Sequence, residues 1–132
     1  MNSVLEYFKM RMEATCSPMD VKKWLSERPG EILVIDVRNG PPHLLKERIV
    51  GSVEIQESQI ASRITEIPIG KEIILYCWET WCSLAGKAAI VLLEKGYRVK
   101  ELYGGLAAWK TLGLPVEPVK SMEIKSLPDC NC

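Results

Sequence analysis

Two cysteines five positions apart, Cys77 and Cys82, stand in the stretch ILYCWETWCSLAGK. The first ends an apolar run, and the second precedes a long Ala/Leu-rich segment. A thiol in that position can pack in a core, ligate a metal, pair with a second thiol in redox chemistry, or act as a nucleophile once deprotonated. Which of these applies depends on the elements that carry the loop.

EIILYC (72–77) is a short continuous apolar run rich in β-branched residues, the pattern of a strand buried on both faces, and EILVIDV (31–37) is a second. Ser83–Lys95 has the composition of a helix ended by Gly96. YRVKELY (97–103) and GSVEI (51–55) look like further strands, and ESQIASRITEI (57–67) like a short helix. LAAWKTL (106–112) predicts a helix stopped by Gly113 and Pro115. Near the start, SVLEYF (3–8) suggests a short helix and KMRMEAT (9–15) alternates like a strand. Ser17 and Pro18 then suit the cap and first turn of another helix, over Met19–Glu27. NGPPHLLKER (39–48) reads as a loop with one helical turn, and the last 17 or so residues as an extended tail. Strands alternating with helices imply right-handed crossovers and a mostly parallel sheet. Ligands of such sheets bind outside the carboxyl ends of the strands, where Asp36 and Cys77 lie.

The loop from Cys77 to Ser83 joins a buried strand to the first turn of a helix. The leading N–H groups of that helix lack internal partners, and the helix end carries about half a positive charge. A loop curling around Cys77 adds its own amides, giving a backbone cradle for an anion. A thiolate or a persulfide, Cys–S–S⁻, is stabilised there, and the thiol pKa is expected below its free value of about 8.5. Core packing of Cys77 is the competing reading.

The ordered set VIDVR (34–38), RIVGSVEI (48–55), ILYC (74–77) with Ser83, and LLEKGYRVKELYGGLAAWKTLGLPVE (92–117) resembles a single-domain rhodanese over roughly residues 16–117. The resemblance implies an α/β fold with a five-stranded, mostly parallel sheet flanked by helices on both faces. It leaves residues 1–15 as an extension with a first strand and residues 118–132 as a tail. It implies sulfane-sulfur transfer through a cysteine persulfide on Cys77, with Trp78, Glu79, Thr80, Trp81, Cys82 and Ser83 as the substrate-binding loop. Asp36 and Arg38 match the Asp-x-Arg of a strand end that supports the site, and Gly105 and Trp109 match structural positions of the closing helix. The resemblance is nearer to a branch with a Cys-x-x-x-x-Cys loop. Relatives often have Gly where Thr80 stands and a cation where Cys82 stands, so this loop has no charged clamp and carries Glu79 instead. Thiosulfate is therefore a doubtful donor. Arg48 replaces a His of the family pattern and is a candidate source of positive charge near the site. A phosphatase would need a longer loop ending in Arg.

Cys82 keeps three readings: a neutral packing thiol, a resolving thiol that attacks a persulfide or sulfenate on Cys77, and a metal ligand. A lone Cys-x4-Cys pair lacks the usual zinc-knuckle spacing, so no metal and no organic cofactor are expected. Cys16 is expected to pack, His43 to be exposed, and Cys130 and Cys132 to be incidental or a swinging sulfur acceptor. The rivals to a sulfurtransferase are a dithiol/disulfide redox element using Cys77 and Cys82, and a non-catalytic binding module recruiting a partner through Trp78 and Trp81.

The 132 residues carry 17 Lys+Arg against 17 Asp+Glu, a balance that gives no sign of nucleic-acid binding. No apolar run reaches the length of a membrane span. An odd count of five cysteines shows no disulfide framework, so a reducing, cytoplasmic setting is expected. The expected partners are a small sulfane-sulfur donor and a thiol or protein-thiol acceptor.

Overall fold

The computed structural model describes residues 2–119. Cys130 and Cys132, and with them the expectation of a swinging acceptor, lie outside the described residues. The elements run α1 (Ser3–Ala14), β1 (Thr15–Cys16), α2 (Pro18–Glu27), β2 (Ile32–Asp36), β3 (Glu47–Ile49), β4 (Val53–Glu54), β5 (Glu72–Tyr76), α3 (Leu84–Glu94), β6 (Arg98–Leu102), α4 (Gly105–Thr111) and β7 (Val116–Pro118). Five strands form one parallel sheet in the order β1-β6-β5-β2-β4. The expected α/β architecture is therefore present.

The centre of the sheet is the pair of apolar runs. β2 and β5 pair over five positions, from Ile32↔Glu72 to Asp36↔Tyr76. Alternate side chains point to opposite faces. Ile35, Ile73, Leu75 and Cys77 face α3, whose Ala85, Ala88 and Leu92 cover them. Val34, Ile74 and Tyr76 face the other way, onto Val21 of α2 and Leu106 and Trp109 of α4. Helices thus cover both faces, which is why these strands lack a polar side. Burying each such Ile or Leu contributes on the order of 2 kcal/mol. Because β2 and β5 end side by side, Asp36 and Cys77 arrive at the same edge of the sheet.

Local signals explain most boundaries. Ser17 accepts from the Asp20 amide, and the Asp20 carboxylate reaches back to the Ser17 amide, closing a capping box ahead of Pro18. Gly96 leaves α3 with φ +91°, the left-handed turn that glycine makes without a Cβ clash.

Four readings of the sequence need correction. Residues 9–14 continue α1 rather than forming a strand, and only Thr15 and Cys16 pair with the sheet, against Glu101 and Leu102. Asn2 caps this helix by accepting from the Val4 and Leu5 amides, and Lys, Met, Arg and Glu are all good helix formers. The segment 57–67 makes two separate 3-10 turns, Glu57–Gln59 and Ile64–Glu66, rather than one helix. The α3 helix begins at Leu84, with Ser83 as its N-cap. Finally, part of the expected loop and tail pair as an antiparallel ribbon, β3 with β7, in the register Arg48↔Glu117.

Candidate active site

Cys77 follows the last residue of β5 and is buried, 3% exposed, against the α3 side of the sheet. Its chain position is fixed from α4. The amide of Leu106 donates to the Cys77 carbonyl at 2.9 Å, and that of Ala107 to the Trp78 carbonyl at 3.0 Å. Gly105 makes this approach possible. A Cβ there would lie 2.6 Å from the Cys77 carbonyl oxygen and 2.9 Å from the Trp78 carbonyl carbon, and the residue sits at φ +60°. So the glycine expected on structural grounds is what lets the closing helix clamp the start of the loop.

The loop then turns back on itself. The Cys82 amide donates to the Glu79 carbonyl at 3.1 Å, and Cys82 ends 6.3 Å from Cys77, Cα to Cα, in a disulfide with it. This separation falls within the ordinary range for bridged cysteines. The reading of Cys82 as a separate packing thiol is thereby corrected: it is buried, but as half of a covalent pair. Among the described residues, the amides of Trp78, Glu79, Thr80 and Trp81 donate to no protein acceptor.

Trp78 and Trp81 differ. Trp78 is half-buried; its indole N–H donates to the Asn39 carbonyl at 3.0 Å, and its ring lies 4.5 Å under the Arg38 guanidinium. Trp81 is 71% exposed. Glu79, Thr80 and Ser83 are also exposed. An apolar groove of about 650 Å³ borders the loop, walled by Trp78, Glu79 and Trp81, floored by Leu106 and Ala107, and rimmed by Lys46 and Lys110.

Asp36 and Arg38 meet at the neighbouring strand end. Arg38 Nε and Nη2 grip the Asp36 carboxylate at 2.7–3.1 Å, the Arg38 amide adds a bond to it at 3.0 Å, and Nη2 also donates to the Glu47 carbonyl at 2.7 Å. Both side chains are buried. They form a fixed charged pair, and its Arg38 stacks on the Trp78 ring. Nη1 of Arg38 is buried without a partner. A second cavity, about 310 Å³, is lined by Asp36, Arg38, Glu54 and Gln56.

Arg48 does not supply charge to the loop. It is buried between Glu54 at 3.1 Å and Glu117 at 2.8 Å, holding β3 to β7 and β4, and it lines neither cavity. Its position in the sequence suggested proximity; its register opposite Glu117 explains its partner.

Tyr76 was missed in the sequence. Its hydroxyl donates to Asp36 at 2.9 Å, accepts from the Ile49 amide at 3.0 Å, and lies 3.2 Å from Ser52 Oγ. Burial, with the Asp36 charge, pushes this phenol above its ordinary pKa, so it stays neutral. A tyrosine in the last position of a wholly apolar strand is a signal that its hydroxyl has a partner there. Cys16 packs as expected, with its thiol pushed up to about 12 by burial. His43 is exposed. Among the described residues, no group of three or more His, Cys, Asp or Glu could hold a metal ion, and no helix is long and apolar enough to cross a membrane.

Comparison with known proteins agrees with this arrangement. The profile of the rhodanese-like domain matches residues 17–112. A sulfurtransferase of Allochromatium vinosum is 31% identical over 87 residues, which cover 65% of this chain and 78% of that protein. An HTH-type transcriptional regulator of Mycobacterium tuberculosis is 32% identical over 90 residues, 67% of this chain, and the match spans only 38% of the regulator. The crystal structure of a full-length protein from Lactobacillus plantarum superposes with a TM-score of 0.83 at 30% identity, covering 89% of this chain and 98% of the other. A thiosulfate sulfurtransferase of Pseudomonas aeruginosa gives a TM-score of 0.69 at 27% identity, covering 83% of this chain and 20% of that one. These relatives support a sulfurtransferase-type role at the level of the family. With its profile spanning most of the sheet, both helical layers and the Cys77 loop, the chain belongs to the rhodanese-like domain family.

Proposed function

We propose that the protein is a sulfurtransferase in which Cys77 carries sulfane sulfur as a persulfide and Cys82 is its resolving thiol. The observation that carries this reading is the Cys77–Cys82 pairing at the carboxyl end of β5, beside a groove that opens on the loop. In the reduced protein, the Cys77 thiolate attacks the outer sulfur of a persulfide or polysulfide donor. The donor's S–S bond breaks, the donor leaves as a thiolate, and Cys77 holds the sulfur as Cys77–S–S⁻. The free amides of the loop neutralise that charge without a cation. An acceptor thiolate then takes the outer sulfur and returns Cys77 as a thiolate. When no acceptor arrives, the Cys82 thiolate attacks the inner sulfur, the Cys77–Cys82 bond forms, and hydrosulfide leaves.

Arg38 is occupied by Asp36, and Glu79 is the charged side chain of the loop itself. A thiosulfate dianion therefore meets a carboxylate without a clamp. Persulfides and polysulfides, whose attacked sulfur needs no such clamp, fit better. Dithiol/disulfide redox chemistry is the second reading, favoured by the same bridge. The two separate in a single-turnover experiment with fully reduced protein and polysulfide, measuring sulfide before and after removal of excess donor. Sulfur transfer with resolution gives stoichiometric delayed sulfide that disappears in Cys82→Ser, whose persulfide is instead released by an added thiol. A pure redox pair gives no persulfide on Cys77 in that variant.

A further inference from the structure

The groove beside the loop is tied to the site itself. Its floor residues, Leu106 and Ala107, are the ones whose amides hold the Cys77 and Trp78 carbonyls at 2.9 and 3.0 Å. The floor is thus one hydrogen bond from the backbone of Cys77. The Trp78 wall is fixed from three sides. Its indole N–H is held by the Asn39 carbonyl, its ring packs under Arg38, and a Cβ on Gly40 would lie 3.4 Å from Cζ2 of the ring. Pro41, Leu44 and the exposed Trp81 continue the apolar lining. At about 650 Å³ the hollow is of a size that takes a small organic molecule.

Charge in the lining favours neither sign. Lys110 is paired with Glu47 at 2.6 Å and Arg38 with Asp36 at 2.7 Å, and the two remaining charges, Lys46 and Glu79, are opposite. An ionic group entering the groove would give up water for Leu44, Trp78, Trp81 and Leu106, with no excess of opposite charge to compensate. An uncharged apolar group gains by the same move.

We propose that the sulfur acceptor is a thiol on an uncharged apolar body, and that this groove binds the body while the thiol reaches the loop. The inference rests on the Cys77 persulfide reading and names its acceptor class. The acceptor thiolate R–S⁻ attacks the outer sulfur of Cys77–S–S⁻. The S–S bond breaks, Cys77 leaves as a thiolate, and the acceptor departs as the organic persulfide R–S–S⁻, so no external oxidant or reductant enters.

The test loads Cys82→Ser with polysulfide, removes the donor, and follows loss of the persulfide mass as thiols are added at equal thiolate concentration. The series is ethanethiol, butanethiol and hexanethiol, with mercaptohexanoate and aminohexanethiol as charged counterparts. Hexanethiol should half-saturate the discharge at a concentration at least about tenfold below that of ethanethiol, and below those of both charged thiols. Leu44→Asp should bring the hexanethiol-to-ethanethiol ratio close to one. Val50→Asp, which alters an exposed apolar residue outside the groove, should keep it. Discharge insensitive to chain length, a preference for either charged thiol, or a ratio unmoved by Leu44→Asp would overturn the proposal while Cys77 loading stands. A protein that takes no sulfur from polysulfide would overturn the persulfide reading, and the acceptor with it.

Discussion

At the scale of single residues, the site divides into groups that react and groups that hold. Cys77 and Cys82 are the bridged pair that the proposed function makes reactive; Asp36, Arg38 and Tyr76 form a buried network behind Trp78. Removing one partner of a buried ion pair leaves the other charge unpaired, which costs about 3–5 kcal/mol. Asp36→Ala is therefore expected to lower the chemical-denaturation midpoint strongly, whereas Asp36→Asn, which keeps an acceptor for Arg38 and Tyr76, should cost less. Cys16 gives a prediction in pH. Its folded pKa is raised from 9.0 to about 12 by burial, so its contribution is intact below pH 9 and is lost as pH rises from 9 towards 12, because the unfolded thiol ionises first. Urea titrations across that range should show stability falling with pH, with a shallower fall in Cys16→Ala. The placement of Asp36 and Cys77 at the carboxyl ends of neighbouring strands was legible from the two apolar runs. Arg48 was not, because whether an arginine faces a loop or a carboxylate depends on a β3–β7 register that three-residue strands do not encode.

At the scale of elements, the loop works because α4 grips it. Leu106 and Ala107 hold the carbonyls of Cys77 and Trp78, and only Gly105, at φ +60° and 2.6 Å from the Cys77 carbonyl at its Cβ position, permits it. Gly105→Ala combines a left-handed backbone with a steric overlap, and should cost more than about 1 kcal/mol and slow persulfide formation. Gly113→Ala has a comparable φ of +69° but open space around the Cβ position. It should lose stability without moving the loop, and stopped-flow sulfur loading separates the two. The central strands were readable because both faces of the sheet are covered, leaving unbroken apolar runs. Where coverage is thin, pattern misled. In α1 no residue is buried, so the alternation of residues 9–13 recorded no sheet face. The 57–67 segment has its apolar residues on two short turns, packing Ile60, Ile64 and Ile67 under α3.

At the scale of the molecule, the features join into one device. A parallel sheet delivers Cys77 and Asp36 to one edge, helices seal both faces, and in the proposed mechanism the loop's amides take the place of a cation. Charge is the main lever on donor choice. Glu79 repels a dianion, so Glu79→Lys should raise the rate of loading from thiosulfate by about tenfold at low ionic strength. Loading from polysulfide should change less, as measured by competition between the two donors. The central claim, a persulfide on Cys77 resolved by Cys82, is tested most directly by intact and peptide mass spectrometry of the reduced protein after brief exposure to polysulfide. The account predicts a one-sulfur gain on Cys77 that persists in Cys82→Ser, is replaced by the 77–82 bridge in the unmodified chain, and vanishes in Cys77→Ala. A Cys82→Ser protein that gains no sulfur, or a gain that survives Cys77→Ala on the same loop, would contradict it.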